Sequence, residues 1–256
     1  MNRKTIFITG AASGIGKSTA LLFANKGWFV GLFDVNEKGL SILHEEIGSQ
    51  NSCYKVMDVS DPESVDRAVK HFGNATNKKM DVLFNNAGIF AVGRFEDISL
   101  AKHHAMMRVN IEGILNCIHT SIDMLKSTPD SRIINTSSAT ALHGVPEHAS
   151  YSATKFAIRS LTEGLEIEFE QYGITVCDIM PIYVKTPMIT EREGDSGMIN
   201  NMGVKLTPDD IAKGVWKSAH SRKVHRIIGG LEVHILAKIA FLPNILTRYI
   251  FKKALV

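Results

Sequence analysis

The sequence predicts an α/β fold, a single-domain Rossmann-type doubly wound parallel β-sheet with helices on both faces. Three observations carry that reading. An apolar strand at 4–9 runs into the glycine-rich turn Gly10-Ala11-Ala12-Ser13-Gly14-Ile15-Gly16 and straight on into a helical pattern. In that order a tight turn lets the backbone approach a phosphate seated on a helix start. Short apolar runs then alternate with longer segments of helical period, as strands covered on both faces of a parallel sheet require. Finally, 256 residues, 45% hydrophobic and 21% charged, suffice for one large core over 1–256 and show no break at which to divide it.

Each element follows in order. The second strand, 28–33, ends in Asp34, and the helix at 37–47 gathers Leu40, Leu43 and Ile47 on one face. A third strand occupies 54–59, and Asp61 caps a helix over 62–72. The runs 82–84, 132–136 and 174–179 are short, β-branched and almost continuously apolar, which marks them as buried strands. Helices over 100–126 and 151–172 separate them. Sheets of this kind bind ligands outside the carboxyl ends of their strands, and the motifs below all fall at such ends.

Tyr151 and Lys155 stand one turn apart on one helical face, a phenol beside an ammonium. A phenol near its ordinary pKa of about 10 is a poor base at neutral pH, and an adjacent cation favours the phenolate. Asp34 offers a carboxylate to the ribose hydroxyls of an adenosine. The segments TGAASGIG at 9–16, Asn85-Asn86-Ala87-Gly88, Ser138, and YSATK at 151–155, with the serine thirteen residues before the tyrosine, resemble the short-chain dehydrogenase/reductase family. The likeness runs from about residue 4 to residue 190.

The resemblance implies an NAD(H)-dependent oxidoreductase that interconverts a secondary alcohol and a ketone. Gly10, Ser13, Gly14, Ile15 and Gly16 form its phosphate loop, Asp58 holds the adenine amino group beside a backbone contact at Val59, and Asn85, Ala87 and Gly88 line the adenine and ribose side. Tyr151 is the general base; Lys155 holds the nicotinamide ribose and lowers the phenol's pKa. Ser138 donates to the substrate oxygen. It is preferred to Ser137 because adjacent strand residues face opposite ways and the family spacing favours it. Asn110 holds, through its backbone, a water that relays protons from the lysine. Val184 and Thr186 contact the carboxamide, although the family's Pro-Gly pair stands here as Pro181-Ile182. A non-catalytic dinucleotide-binding sensor or scaffold is the alternative, since fold does not fix function.

NAD is expected over NADP. A 2′-phosphate would face the Asp34 carboxylate, while Ser13 and Val35 occupy positions from which an arginine could have paired it; Lys17, on the first helical turn, is the residue that argues the other way. The substrate walls are expected from 139–149 and from a lid at 187–206 carrying Met188, Ile189, Met198, Ile199 and Met202, which suits a lipophilic substrate.

No metal is expected, because His103-His104 and the His143/His148 pair lack zinc-site spacing. His143 and His148 read either as exposed loop residues or as part of the substrate mouth. The scattered cysteines Cys53, Cys117 and Cys177 argue for reduced thiols and a cytoplasmic setting. The first residues leave no room for a signal peptide, and no apolar run of spanning length follows. The basic, apolar segment 231–256 reads as a lid or subunit contact, or else as an amphipathic pair lying on a membrane surface. A net charge of +3 is too small to argue for nucleic acid. By resemblance the chain forms a homodimer or homotetramer.

Overall fold

The computed structural model describes residues 3–190 and 203–230. Its seven strands are β1 (Thr5–Thr9), β2 (Phe29–Asp34), β3 (Ser52–Val56), β4 (Val82–Asn85), β5 (Arg132–Thr136), β6 (Thr175–Pro181) and β7 (His225–Ile228). They pair in parallel in the order β3-β2-β1-β4-β5-β6-β7. The winding reverses between β1 and β4, so helices cover both faces and a crevice opens at the carboxyl ends of these two strands. The helices are α1 (Gly14–Asn25), α2 (Glu37–Ile47), α3 (Pro62–Thr76), α4 (Leu100–Met107), α5 (Gly113–Ser127), α6 (Ala149–Glu170), α7 (Pro187–Thr190) and α8 (Pro208–Ser218).

The period-2 geometry of the strands divides the core in two. Ile6 and Ile8 of β1 enter one cluster with Phe23, Leu40 and Val215, whereas Phe7 enters the other with Phe33, Phe72 and Ile118. Phe7 stacks on Phe33 with ring centroids 3.9 Å apart and meets the edge of Phe72 at 5.4 Å. Each such ring, fully buried, is worth roughly 1.5–3 kcal/mol.

Five elements named here depart from the sequence reading. The third strand ends at Val56, because Met57 leaves the ladder after its N–H bonds the Asp34 carbonyl, and Met57, Asp58 and Val59 turn over the sheet edge into the crevice. The helix expected over 100–126 is interrupted by a π turn at Arg108–Glu112. The helix expected at 151–172 starts and stops two residues earlier. Helix α8 and strand β7 were not anticipated, although Thr207 and Asp210 form a capping box and Pro208 follows the cap, a legible start signal. Helix α8 packs on α1, with Trp216 edge-on to Phe23 at 5.0 Å. Met198, Ile199 and Met202 of the expected lid, and the whole segment 231–256, lie outside the described residues. No helix among the described residues is long and apolar enough to cross a membrane.

All three cysteines are free, and burial pushes their thiols up to about 12, so they are poor nucleophiles. Strand β7 is fastened by His225, whose Nδ1 lies 3.1 Å from the buried Asp178 carboxylate and whose Nε2 lies 3.0 Å from Glu163. The hydrogen bond to Asp178 is the main reason that the imidazole is held above its usual pKa; burial raises that of Asp178. A raised folded pKa stabilises most below the unfolded value near 6.5 and is lost as pH climbs through the folded value. His225→Gln, which keeps a donor for Asp178 but carries no charge, therefore lowers Tm more at pH 6 than at pH 9. Equal deficits at the two pH values in thermal melts would remove the imidazolium from the account.

Candidate active site

The crevice is held by side chains that join the loops after β1 and β4. The Thr9 hydroxyl accepts the N–H groups of Asn86 and Ala87, each at 2.9 Å, and the Asn86 amide donates back to the carbonyls of Thr9 and Gly10 at 3.0 and 3.1 Å. Two glycines permit this closeness. Gly10 takes φ +66° with Ala87 close against it, and a Cβ on Gly16 would come 2.0 Å from the Gly10 carbonyl oxygen. Helix α1 can therefore begin hard against the turn. Gly16 acts by packing and does not line the cavity.

The cavity, about 610 Å³, is lined at one end by Gly10, Ser13, Gly14, Ile15, Asp34, Asp58, Val59, Ala87 and Gly88. Helices α2, α3 and α8 begin with a capping side chain. The start of α1 has neither a bonding cap side chain nor an acid in its first turn, which suits an anion. The Asp34 carboxylate accepts the N–H groups of Ala12 and Asn36, each at 3.0 Å, and so is fixed facing the cavity with lone pairs to spare. Asp58 accepts from Ser60 in the same manner. Lys17 pairs with Glu46 at 3.3 Å. Asn85 departs from expectation: it is buried in β4, donates to Asn135 at 2.9 Å and does not reach the cavity, because alternation along the strand turns it into the core. Its neighbour Asn86 lines the cavity instead.

Ser138, Tyr151 and Lys155 meet on the cavity wall. The Ser138 hydroxyl donates to the Pro181 carbonyl at 3.4 Å and accepts the Thr140 N–H at 3.2 Å, and it stands near enough to the Tyr151 phenol to favour the phenolate. Ser137, by contrast, donates to the Lys155 carbonyl at 3.1 Å. The Lys155 ammonium is buried, donates to the Thr136 carbonyl at 2.8 Å and lies 5.3 Å from the Tyr151 ring centre. The expected lowering of the phenol does not appear in the chain alone. Burial pushes Tyr151 up to about 12, only partly offset by Ser138, and pulls Lys155 down to about 7. Desolvation disfavours both charges.

Asn110 is fully buried in the π turn. Its side chain grips Ile89, accepting from the backbone N–H at 2.8 Å and donating to the carbonyl at 2.9 Å, and reaches Thr154 at 3.3 Å. That clamp is why an asparagine sits inside a helix. The turn also bonds the Gly113 N–H to the Arg108 carbonyl, one residue beyond the α-helical partner. Such a skip leaves a carbonyl without its usual donor. Asn110 itself does not line the cavity; Val109 does.

Val184 and Thr186 line the cavity, Val184 bridging to Leu206. Ile182 stands without strain where the family has glycine: its φ is not positive, and its N–H bonds the Ile228 carbonyl at 3.3 Å, continuing the pairing with β7. The far end of the cavity is walled by Phe90, Val145, His148, Tyr183, Met188 and Ile189. Sequence reasoning missed Phe90 and Tyr183. Phe90 meets the Tyr151 ring edge-on at 4.8 Å, and no motif marked it. His148 is buried here, whereas His143 bonds the Gly144 carbonyl on the exposed side. His103 stacks on Phe95 and has both ring nitrogens engaged, with the Phe95 carbonyl and Ser150. No cluster of metal-ligating side chains occurs among the described residues.

A family model described as short chain dehydrogenase matches residues 4–197. The chain belongs to the short-chain dehydrogenase/reductase family. Cyclohexanol dehydrogenase of Acinetobacter sp. strain SE19 is 32% identical over 217 residues, which cover 83% of this chain and 86% of that protein. Among solved structures, a 3-ketoacyl-(acyl-carrier-protein) reductase from Brucella melitensis complexed with NADH superposes with a TM-score of 0.81 at 28% identity, over 90% of this chain and 98% of that one. An alcohol dehydrogenase from the archaeon Thermococcus sibiricus, complexed with 5-hydroxy-NADP, gives 0.79 at 26% identity, over 89% of this chain and 96% of that one. The protein is thus an oxidoreductase of the kind that acts on CH–OH groups with a dinucleotide cofactor.

Proposed function

We propose that the protein is an NAD(H)-dependent oxidoreductase that interconverts a secondary alcohol and a ketone of largely apolar body. The observation that carries this is that Ser138, Tyr151 and Lys155 line one cavity together with Asp34 and the uncapped start of α1. The nicotinamide, when bound, supplies the acceptor or donor of hydride. Gly10, Ser13, Gly14 and Ile15 hold the pyrophosphate, Asp34 the adenosine ribose, Asp58 and Val59 the adenine, and Val184 and Thr186 the carboxamide. Ala87 and Gly88 line the ribose side.

The proton is the protein's share of the chemistry. In oxidation the Tyr151 phenolate oxygen takes the proton of the substrate hydroxyl; in reduction the phenol returns it to the same oxygen. Ser138 donates to that oxygen and stabilises its developing charge. Lys155 binds the nicotinamide ribose and, when charged, favours the phenolate. A backbone carbonyl freed at the Asn110 turn holds the water through which protons leave. No observation favours the sensor or scaffold reading, and the assembled set weighs against it. The free cysteines agree with a cytoplasmic place of work.

The phenol starts near 12, so raising the pH populates the form that accepts a proton. Nicotinamide reduction with pooled secondary alcohols of graded chain length and ring size should therefore quicken from pH 7 towards pH 10, with the reverse ketone reduction slowing. Tyr151→Phe should lose at least a thousandfold. A Tyr151→Phe enzyme that retains wild-type turnover would refute the assignment.

NADH should bind at least tenfold more tightly than NADPH, because the 2′-phosphate meets the fixed Asp34 carboxylate and Lys17 is engaged by Glu46. Fluorescence titration of the two cofactors decides this, and equal affinities would end the preference.

A homodimer or homotetramer forms, in our reading, over the outer faces of α5 and α6. There Ile114, Leu115, Ile158, Leu161 and Leu165 line an apolar groove, with Phe156 and Ile167 exposed beside it. Leu115→Glu should reduce the mass seen by light scattering to that of one chain. A wild-type protein already at that mass would exclude this interface.

A further inference from the structure

Beside the catalytic tyrosine stands a second phenol with no part in the proton transfer above. Tyr183 lines the far end of the cavity, its hydroxyl 3.0 Å from His148 Nε2. The other ring nitrogen, Nδ1, lies 3.0 Å from the Pro146 carbonyl, which only accepts. Nδ1 therefore carries the proton. Burial holds His148 below the usual imidazole range, so the ring is neutral and Nε2 is an acceptor. The Tyr183 hydroxyl must donate to it. Its one proton is spent, and the oxygen is left with lone pairs at the cavity wall.

Among the described residues, the remaining surface at this end offers nothing comparable. Phe90, Val145, Ile182, Met188 and Ile189 are apolar, and Thr140, which also lines the cavity, has its hydroxyl oxygen shut off from it. Tyr183 stands close enough to Tyr151 that a charge on one disfavours a charge on the other, and Phe90 packs against both Tyr151 and His148, with centroids at 4.8 and 5.0 Å. One substrate in this space therefore meets both phenols.

We propose that the His148–Tyr183 pair is a specificity site. It presents a fixed hydrogen-bond acceptor and selects alcohols and ketones that carry, on an otherwise apolar frame, a second group that donates, such as a further hydroxyl. This rests on the oxidoreductase reading and deepens it. An apolar substrate without that group covers the Tyr183 oxygen and leaves it unpaired, a loss that discriminates far more strongly than one methylene more or less in an apolar pocket.

The test compares cyclohexanol with the 1,2-, 1,3- and 1,4-cyclohexanediols, using NAD and reading kcat/KM. At least one diol should exceed cyclohexanol about tenfold in the wild type. In Tyr183→Phe, which keeps the ring but not the oxygen, that ratio should fall to about one, mostly through KM. Taking the ratio cancels any general loss of folding or chemistry. A wild-type ratio at or below one for every diol, or a ratio unchanged in Tyr183→Phe, overturns the specificity site and leaves the oxidoreductase standing. Failure to oxidise any alcohol of this set or of the graded pools, with NADH still bound, overturns the oxidoreductase reading and this inference with it.

Discussion

The clip between Thr9 and Asn86 is the contact on which the site depends. At the point where the sheet's winding reverses, the chains leaving β1 and β4 diverge, and their backbones have no ladder to continue. Side chains take over. One hydroxyl accepts two backbone N–H groups and one amide donates to two carbonyls, four hydrogen bonds across the gap. At a net contribution of about 1 kcal/mol each, they outweigh the cost of ordering two short loops only if both loops are also sterically free to close. Gly10 and Gly16 supply that freedom. With the loops fixed, the amides at the start of α1, the Asp34 carboxylate and the backbone of Ala87 and Gly88 all face one volume.

Inside that volume, desolvation governs the chemistry. Tyr151 and Lys155 share a buried wall, and each is driven towards its neutral form, the phenol upward and the amine downward. A resting site in this condition holds its proton on the phenol, ready for donation to a carbonyl. Removing it requires further positive charge in the cavity or a higher pH. The lysine is held in place by its hydrogen bond to the Thr136 carbonyl, whose backbone position β5 fixes. The same strand end positions Ser138, so the serine, the lysine and the tyrosine are registered by one strand and one helix.

Much of this was legible beforehand, for physical reasons. The glycine turn, Asp34, Ser138, Tyr151 and Lys155 announce themselves because each needs a particular residue type at a particular spacing. The strands are readable because burial on both faces makes their runs predominantly apolar. What escaped was decided by tertiary contact. Asn85 and Asn86 are chemically identical neighbours, and only the strand's alternation sends the first into the core. The π turn at Asn110 has no local signature; it exists because the amide must reach both Ile89 and Thr154. The start of β7 is polar, its histidine made tolerable by Asp178 and Glu163 across the sheet and on α6. Tyr183 lies in a stretch read for its departure from the family's glycine, which drew attention to Ile182 beside it.

The segment before α6 shows how local strain and site geometry are linked. Glu147 adopts φ +63°, a left-handed conformation that costs a residue with a Cβ about 1–2 kcal/mol. The turn it belongs to is closed by the His148 N–H on the Val145 carbonyl at 3.1 Å, and the Glu147 carbonyl accepts from Gly93 at 3.0 Å. The His148 carbonyl then accepts from Ser152 at 2.7 Å, so the residue that ends the turn also begins α6. One strained residue thus stands at the junction from which both His148 and the first turn of α6, with Tyr151, set out. Under the proposed reading, that junction relates the substrate's reacting oxygen to its second polar group, and the spacing of the two groups, rather than the bulk of the substrate, becomes the quantity the cavity selects on.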